Sequence, residues 1–411
     1  MSEWTEYKLG DIAKFQTGKL NSNAAVKNGK FPFFTCSPET YRIDDYAFDQ
    51  KAILLAGNNA EGNFNIKYYE GKFNAYQRTY VISPACEEIN ILYLFYALQL
   101  CLHKFKQLSQ GTSTKFLTAK ILNAFTIQVP SKFVQKKIAC IIKALDDKIE
   151  NNRRVNENLE QQAQALFKSW FVDFEPFKDG EFVESELGMI PKTIETKYVS
   201  DIPHILETGR RPKGGVGELT SGIPSVGAEH VKGMGKYDFS KTKYIPEEYA
   251  ATLKAGKVKG YELLIYKDGG KPGYFIPNFS IFGEGYPFDE CYLNEHVFKL
   301  DFDNRGYNIF CYFYFQTDHV MTYLNAQGGK AAIPGINKQD IENILTYSPE
   351  SEQVKKFGTF AEPLFKKILY NCKESQMLAT IRDTLLPKLM SGELRVPDTD
   401  LINEMLDKGI R

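Results

Sequence analysis

Two short glycine-hinged turns carry the residue types most suited to chemistry in this chain: Thr17-Gly18-Lys19, and Thr208-Gly209-Arg210-Arg211-Pro212-Lys213 followed by Gly214-Gly215. Exposed backbone N–H groups beside Lys and Arg suit phosphate oxygens, and Arg, Lys, Asn and Gln are the side chains that read base edges. Further along, "YQRT" offers Gln77 and Arg78 where "NEHV" offers His296. "SQGTSTK" then offers Gln110, Thr112, Ser113 and Lys115, answered by "AQGGK" with Gln327 and Lys330. Any one of these turns alone reads better as an ordinary loop. Their recurrence at matching places in two halves is what singles them out, and these thirteen positions are the candidate nucleic-acid contacts.

Other chemistry leaves no trace in the sequence. No glycine stands where a phosphate loop needs one before a Gly-Lys pair, and no Gly-x-Ser-x-Gly elbow occurs. The Asn-Pro-Pro-aromatic tetrapeptide that amino-methyltransferases use to hold a base is missing as well. "KDGGKPGY" (Lys267 to Tyr274) lacks a dinucleotide pattern and reads as a turn. Asp146-Asp147 falls on a helical face, where a solvated or partner-facing role outweighs acid/base work. The five histidines form no spaced pair and the seven cysteines no Cys-x-x-Cys pair, so neither a metal site nor a cofactor is expected, and a reducing compartment is. The polar start "MSEWTEYKLG" and the lack of a long apolar run predict no targeting segment and no membrane span, hence the cytoplasm. Catalytic residues are expected to be none.

What must position the turns is a duplicated framework. From Ile138, a seam at alternating steps of four and three runs Ile138, Ile142, Leu145, Ile149, Asn152, Asn156, Leu159, Ala163, Leu166, Trp170. Adding 219 gives Phe357, Ala361, Leu364, Ile368, Asn371, Ser375, Leu378, Arg382, Leu385, Leu389, with the polar pair recurring as Asn371 and Ser375. Such a seam predicts two helices of about 50 Å that pair with each other, register being fixed by the buried polar layer. The seam leaves their relative direction open. Upstream, "LGDIAKFQTGK" answers "VSDIPHILETGR", "FPFF" answers "IPSV", and "AILLAG" answers "ELLIYK". Strands broken by Gly, Asn and Pro, with aromatic-rich helical stretches "NILYLFYALQL" and "NIFCYFYF", make each half mixed α+β. Phe171 to Thr196, with its acids and prolines, reads as a connector.

Balanced charge, 51 basic against 51 acidic residues, leaves any polyanion binding to local surfaces, and aromatics at 14 % suit strand-rich domains.

The run "WFVDFEPFKDGEFVESELGMIP" (Trp170 to Pro191), together with the twin seam helices, resembles the specificity subunit of type I restriction-modification systems over essentially the whole chain. Just past the run, "PKTIETK" (Pro191 to Lys197) carries Ile194 where relatives usually carry tryptophan. The resemblance implies two pseudo-symmetric mixed α/β target recognition domains at residues 1–130 and 177–348, the second including the linker. It implies an antiparallel coiled coil from 131–176 and 349–396 and a tail at 397–411. It implies no catalysis by the chain itself. The expected partners are double-stranded DNA with a bipartite target, two methyltransferase subunits and, in the full complex, endonuclease/translocase subunits, with no membrane. A coil of about 50 Å would hold two reading heads one to one and a half turns of DNA apart, at ~34 Å per turn. The competing expectation is a duplicated scaffold that spaces two protein-binding heads without DNA, which steep salt dependence of DNA affinity would exclude.

Overall fold

The apolar seam with its polar centre becomes two helices of 40 residues each, Lys132–Phe171 and Glu352–Ser391, about 60 Å long at ~1.5 Å per residue. The computed structural model describes residues 4–217, 219–269, 273–330 and 334–396, so the expected tail at 397–411 lies outside the described residues. The described residues form two compact units, those within 1–148 and 378–411 and those within 149–377. Each unit therefore contains a stretch of both long helices.

Within the second unit the helices run antiparallel: Asn152 meets Ser375, Asn156 meets Asn371, and Phe167 meets Phe357. Asn152 and Asn371 are each only 2 % exposed, so their amides must be answered. Asn152 Nδ2 donates to Glu374 Oε2 at 2.7 Å and to Ser375 Oγ at 3.2 Å. Asn371 Nδ2 donates to Asn156 Oδ1 at 2.8 Å, and Asn156 Nδ2 to the Ile368 carbonyl at 3.3 Å. The amides in the middle of the stripe thus satisfy one another and penalise any slip of register. In the first unit Asp146, expected to face solvent or a partner, instead accepts from Arg382 at 2.8 Å and from the Tyr96 hydroxyl at 2.7 Å.

Burial varies along the length of the seam. Ile138, Ile142, Phe357, Ala361, Ile368 and Leu389 are buried, but Leu145, Ile149, Leu159, Leu166, Trp170, Leu364, Leu378 and Leu385 are only partly so. Phe167, Phe171, Phe365 and Leu386 take the fully buried places. A straight helix drifts about 20° per heptad from a 3.5-residue repeat, and these helices also lie against the globular part of each unit. The stripe is accordingly wider than a two-stranded coil requires.

In the first unit a six-stranded sheet runs in the order Ala13–Thr17, Thr79–Pro84, Phe48–Ala56, Ile66–Ala75, Phe31–Phe34, Thr40–Ile43. Its central strand carries the uninterrupted apolar run Ala52 to Ala56 because both faces are covered. Ile53 and Leu55 pack with Tyr93, Leu98, Phe105, Ile142 and Leu389, while Ala52 and Leu54 pack on the opposite face with Phe34 and Phe73. In the second unit a five-stranded sheet (Ile205–Thr208, Val297–Asp301, Leu263–Tyr266, Phe279–Ile281, Gly233–Met234) lies with a smaller sheet of Lys243–Ile245, Ile223–Val226 and Tyr292–Leu293. Helix Arg305–Tyr314 is buried from Tyr307 onward among aromatic rings of both long helices. The expected connector is itself structured: Phe182–Ser185 and Gly188–Pro191 form a hairpin, and Ile190 and Ile194, each 3 % exposed, enter the core.

The duplication is written in matched hydrogen bonds. Leu9 N–H donates to Phe125 O and Val199 N–H to Ile344 O. Tyr93 donates its hydroxyl to Gln128 O, and Tyr307 does the same to Tyr347 O, each tyrosine lying three residues beyond a capping asparagine, Asn90 or Asn304. The aromatic helices therefore correspond one turn earlier than their shared Asn-Ile spelling at Asn90 and Asn308 suggests.

Candidate nucleic-acid interface

In the first unit, Gly18 lies so close to the neighbouring strand end that a Cβ on it would stand 1.7 Å from the Ala75 carbonyl oxygen. That approach holds Lys19 beside the Gln77-Arg78 turn. Gln77 donates its N–H to Leu20 O at 2.9 Å and its side-chain amide to Asn21 Oδ1 at 2.7 Å. Arg78 O accepts from Gly57 N–H at 2.8 Å, and its guanidinium lies over the Phe116 ring at 5.1 Å. Gly57 O in turn accepts from Leu117 N–H, while Gln110 and Phe116 exchange backbone bonds of 3.1 and 2.7 Å. Lys19, Gln77, Arg78, Gln110 and half-buried Lys115 thus gather at one corner, with exposed Thr112 and Ser113 on the loop that joins the last two.

The amide-rich loop "GNNAEGN" (Gly57 to Asn63) belongs to this corner and was missed in the sequence. Asn58 and Asn59 pair with Phe116 and Lys115, and Lys106 Nζ donates to Asn63 Oδ1 at 2.9 Å. The readable signal was an Asn-Asn pair directly after a buried strand.

The second unit builds the same corner from different side chains. A Cβ on Gly209 would lie 1.5 Å from Leu293 O, the counterpart of Gly18 on Ala75. Either glycine replaced by alanine should push the two turns apart and lower the unit's melting temperature by several degrees in calorimetry, with exposed Gly180, where a Cβ would stand 3.2 Å from the Phe177 carbonyl oxygen, as the milder comparison. Asn294 N–H donates to Val226 O as Tyr76 does to Phe34 O; Lys267 N–H donates to His296 O as Gly57 does to Arg78 O; Ile336 N–H donates to Lys267 O as Leu117 does to Gly57 O. Position by position, Arg210 answers Lys19, Glu295 answers Gln77, His296 answers Arg78 and Asp268 answers Asn58.

Arg210, Arg211, Lys213 and Lys330 are exposed, and His296 and Gln327 half-buried. Arg211 pairs with Glu295 and approaches His296 Nε2 at 3.2 Å, His296 Nδ1 bonds Asp268, and Asp268 bonds Lys267. Lys330 Nζ donates to Gln327 Oε1 at 2.7 Å, on the segment that reaches the Lys267-Asp268 strand end through Gly335. Gly270–Pro272 of the glycine-rich turn and Ala331–Ile333 lie outside the described residues. Burial alone would raise the Asp268 carboxyl, but hydrogen bonds and charge from Lys267 and His296 outweigh it and hold it below the ordinary range. Its stabilising contribution is therefore present above the unfolded carboxylate value near ~3.9 and lost as pH falls through the folded one. Asp268→Asn should accordingly remove part of the acid limb when thermal melts are recorded between about pH 3 and 7.

Among the described residues no cluster of His, Cys, Asp and Glu suits a metal ion, and no helix is long and apolar enough to cross a membrane.

A family model described as the type I restriction modification DNA specificity domain matches residues 1–161. The type I restriction enzyme MjaIX specificity subunit of Methanocaldococcus jannaschii is 33 % identical over 316 residues, 75 % of this chain and 69 % of that one. The HindI specificity subunit of Haemophilus influenzae is 25 % identical over 465 residues, 96 % of this chain and all of that one. The crystal structure of a type I restriction-modification S subunit from M. genitalium shares the fold, with a TM-score of 0.60 at 17 % identity over 97 % of each chain.

Proposed function

This chain belongs to the type I restriction-modification specificity subunits, and from that premise we propose that its two matched corners are reading heads, each taking one half of a split DNA target. The chain is the non-catalytic DNA-recognition subunit of a complex with methyltransferase and endonuclease subunits on double-stranded DNA. We place the heads at residues 1–130 and 177–348, with 131–176 and 349–396 as the coil that spaces them and docks two methyltransferase subunits, and the work in the cytoplasm.

The observation that carries this reading is the pair of corners: the same backbone hydrogen bonds, from Gly57 to Arg78 and from Lys267 to His296, present unlike side chains. Equivalent frames with different donors suit two different half-sites. Lys19, Gln77, Arg78, Gln110, Thr112, Ser113 and Lys115 serve the first, joined by Asn58 and Lys106. Arg210, Arg211, Lys213, His296, Gln327 and Lys330 serve the second.

The test is single-molecule methylation sequencing of a host with and without this gene and its methyltransferase partner. Loss of one split motif, two short half-sites around a fixed gap, is the expected result; a methylome unchanged while the complex assembles would end the proposal. Because phosphate contacts release counterions, affinity of the complex for its duplex should also fall more than ~10-fold between about 50 and 200 mM salt.

A further inference from the structure

At equivalent places the first head carries uncharged amides, Gln77 and Asn58, and the second carries acids, Glu295 and Asp268. The equivalence rests on the matched backbone bonds on either side of each position, and the acids are not surplus surface charge. They alternate with hydrogen-bonding basic side chains in a chain that runs Arg211, Glu295, His296, Asp268, Lys267 across three separate segments. The two acids differ in what they have left to offer. Asp268 is fully engaged, Oδ1 by His296 and Oδ2 by Lys267. Glu295 spends Oε1 on Arg211, while its Oε2 has no hydrogen-bond partner among the described residues. Buried without a donor, that oxygen is costly where it stands, and turning the carboxylate so that it meets a ligand N–H in the neighbouring hollow recovers the cost. The side chain remains 36 % exposed and lines the hollow under the Arg210, Pro212 and Gly214-Gly215 turn.

We infer that Glu295 is a specificity-determining residue of the second head, accepting a hydrogen bond from an exocyclic amino group of its half-site, that of cytosine. This rests on the reading of the two corners as DNA-binding heads. A carboxylate only accepts, so in the major groove it suits cytosine N4 and repels the acceptor edge of guanine, whereas an amide donates and accepts and suits adenine. Arg211 holds the carboxylate in place and offsets the repulsion between Glu295 and the DNA phosphates. In the first head Gln77 occupies the same position with amide chemistry, so the two half-sites differ at the base each of these residues meets.

The experiment is methylation sequencing of hosts expressing the complete system with the wild-type chain, Glu295→Gln, or Gln77→Glu. The wild type should give one split motif. Glu295→Gln should lower methylation of that motif ~10-fold or more and shift one position of the second half-site from cytosine to adenine, the first half-site and the gap remaining as they were. Gln77→Glu should change one position of the first half-site only. A second half-site that keeps every base with Glu295→Gln would overturn the inference while leaving the two-head reading intact; so would an unchanged first half-site with Gln77→Glu, should the Glu295 variant not assemble. Absence of any split motif with the wild type would remove the two-head reading itself.

Discussion

Arg78→Ala should relax or abolish recognition of one half-site and leave the other untouched. Arg78 is exposed, its guanidinium lies over the Phe116 ring at 5.1 Å, and on our proposal it supplies the reading edge of the first corner. A bidentate arginine contact to guanine discriminates by about 1–3 kcal/mol, so the correct half-site should lose roughly 10- to 100-fold of its preference over mismatched ones. The backbone role of the residue survives the substitution, because it is the Arg78 carbonyl, not the side chain, that accepts from Gly57 N–H. Loss of reading therefore need not imply loss of fold. Duplex competition with each half-site scrambled in turn measures it directly, and equal loss at both halves would refute the assignment of one head to each. Lys19→Ala makes the contrast: as a phosphate contact it should weaken all sequences alike and reduce the slope of log affinity against log salt by about one.

Much of this framework could be read in advance because duplication preserves what backbones need. Thr-Gly recurs because no side chain fits where Gly18 meets Ala75 and Gly209 meets Leu293, and the pairs Phe34 with Val226 and Gly57 with Lys267 recur because each feeds an equivalent hydrogen bond. Register of the long helices was legible for the same reason, since Asn152, Asn156, Asn371 and Ser375 had to answer one another. What the sequence withheld was long-range pairing of charges. Arg211 reads as an available phosphate ligand until Glu295, 84 residues away, is found beside it, and His296 until Asp268 is. No local pattern announces such partners. The hairpin at Phe182–Pro191 was hidden by an acid-rich composition typical of linkers, although Ile190 and Ile194 were the residues that fasten it down.

The heptad reading and the structure part company most sharply at Phe167, and the difference is large enough to measure. On a strict seam Leu166 and Trp170 face inward and Phe167 lies at the flank. In the folded chain Phe167 is fully buried, its ring 5.3 Å from Phe171, 5.5 Å from Phe310, 5.9 Å from Phe313 and 5.6 Å from Phe357. Leu166 and Trp170 are only partly covered. Removing a buried phenyl group costs its transfer free energy and leaves a cavity, together about 3–5 kcal/mol. Its four neighbours are themselves packed ring against ring, so they have little freedom to collapse inward, which places Phe167→Ala toward the upper part of that range. Leu166→Ala should cost well under half as much, since a partly exposed side chain surrenders less area and water fills the gap. Urea unfolding of the two variants, followed by tyrosine and tryptophan fluorescence, gives the comparison. A larger loss for Leu166→Ala would restore the narrow seam; the expected order shows that the long helix stabilises this unit chiefly as a wall of its aromatic core.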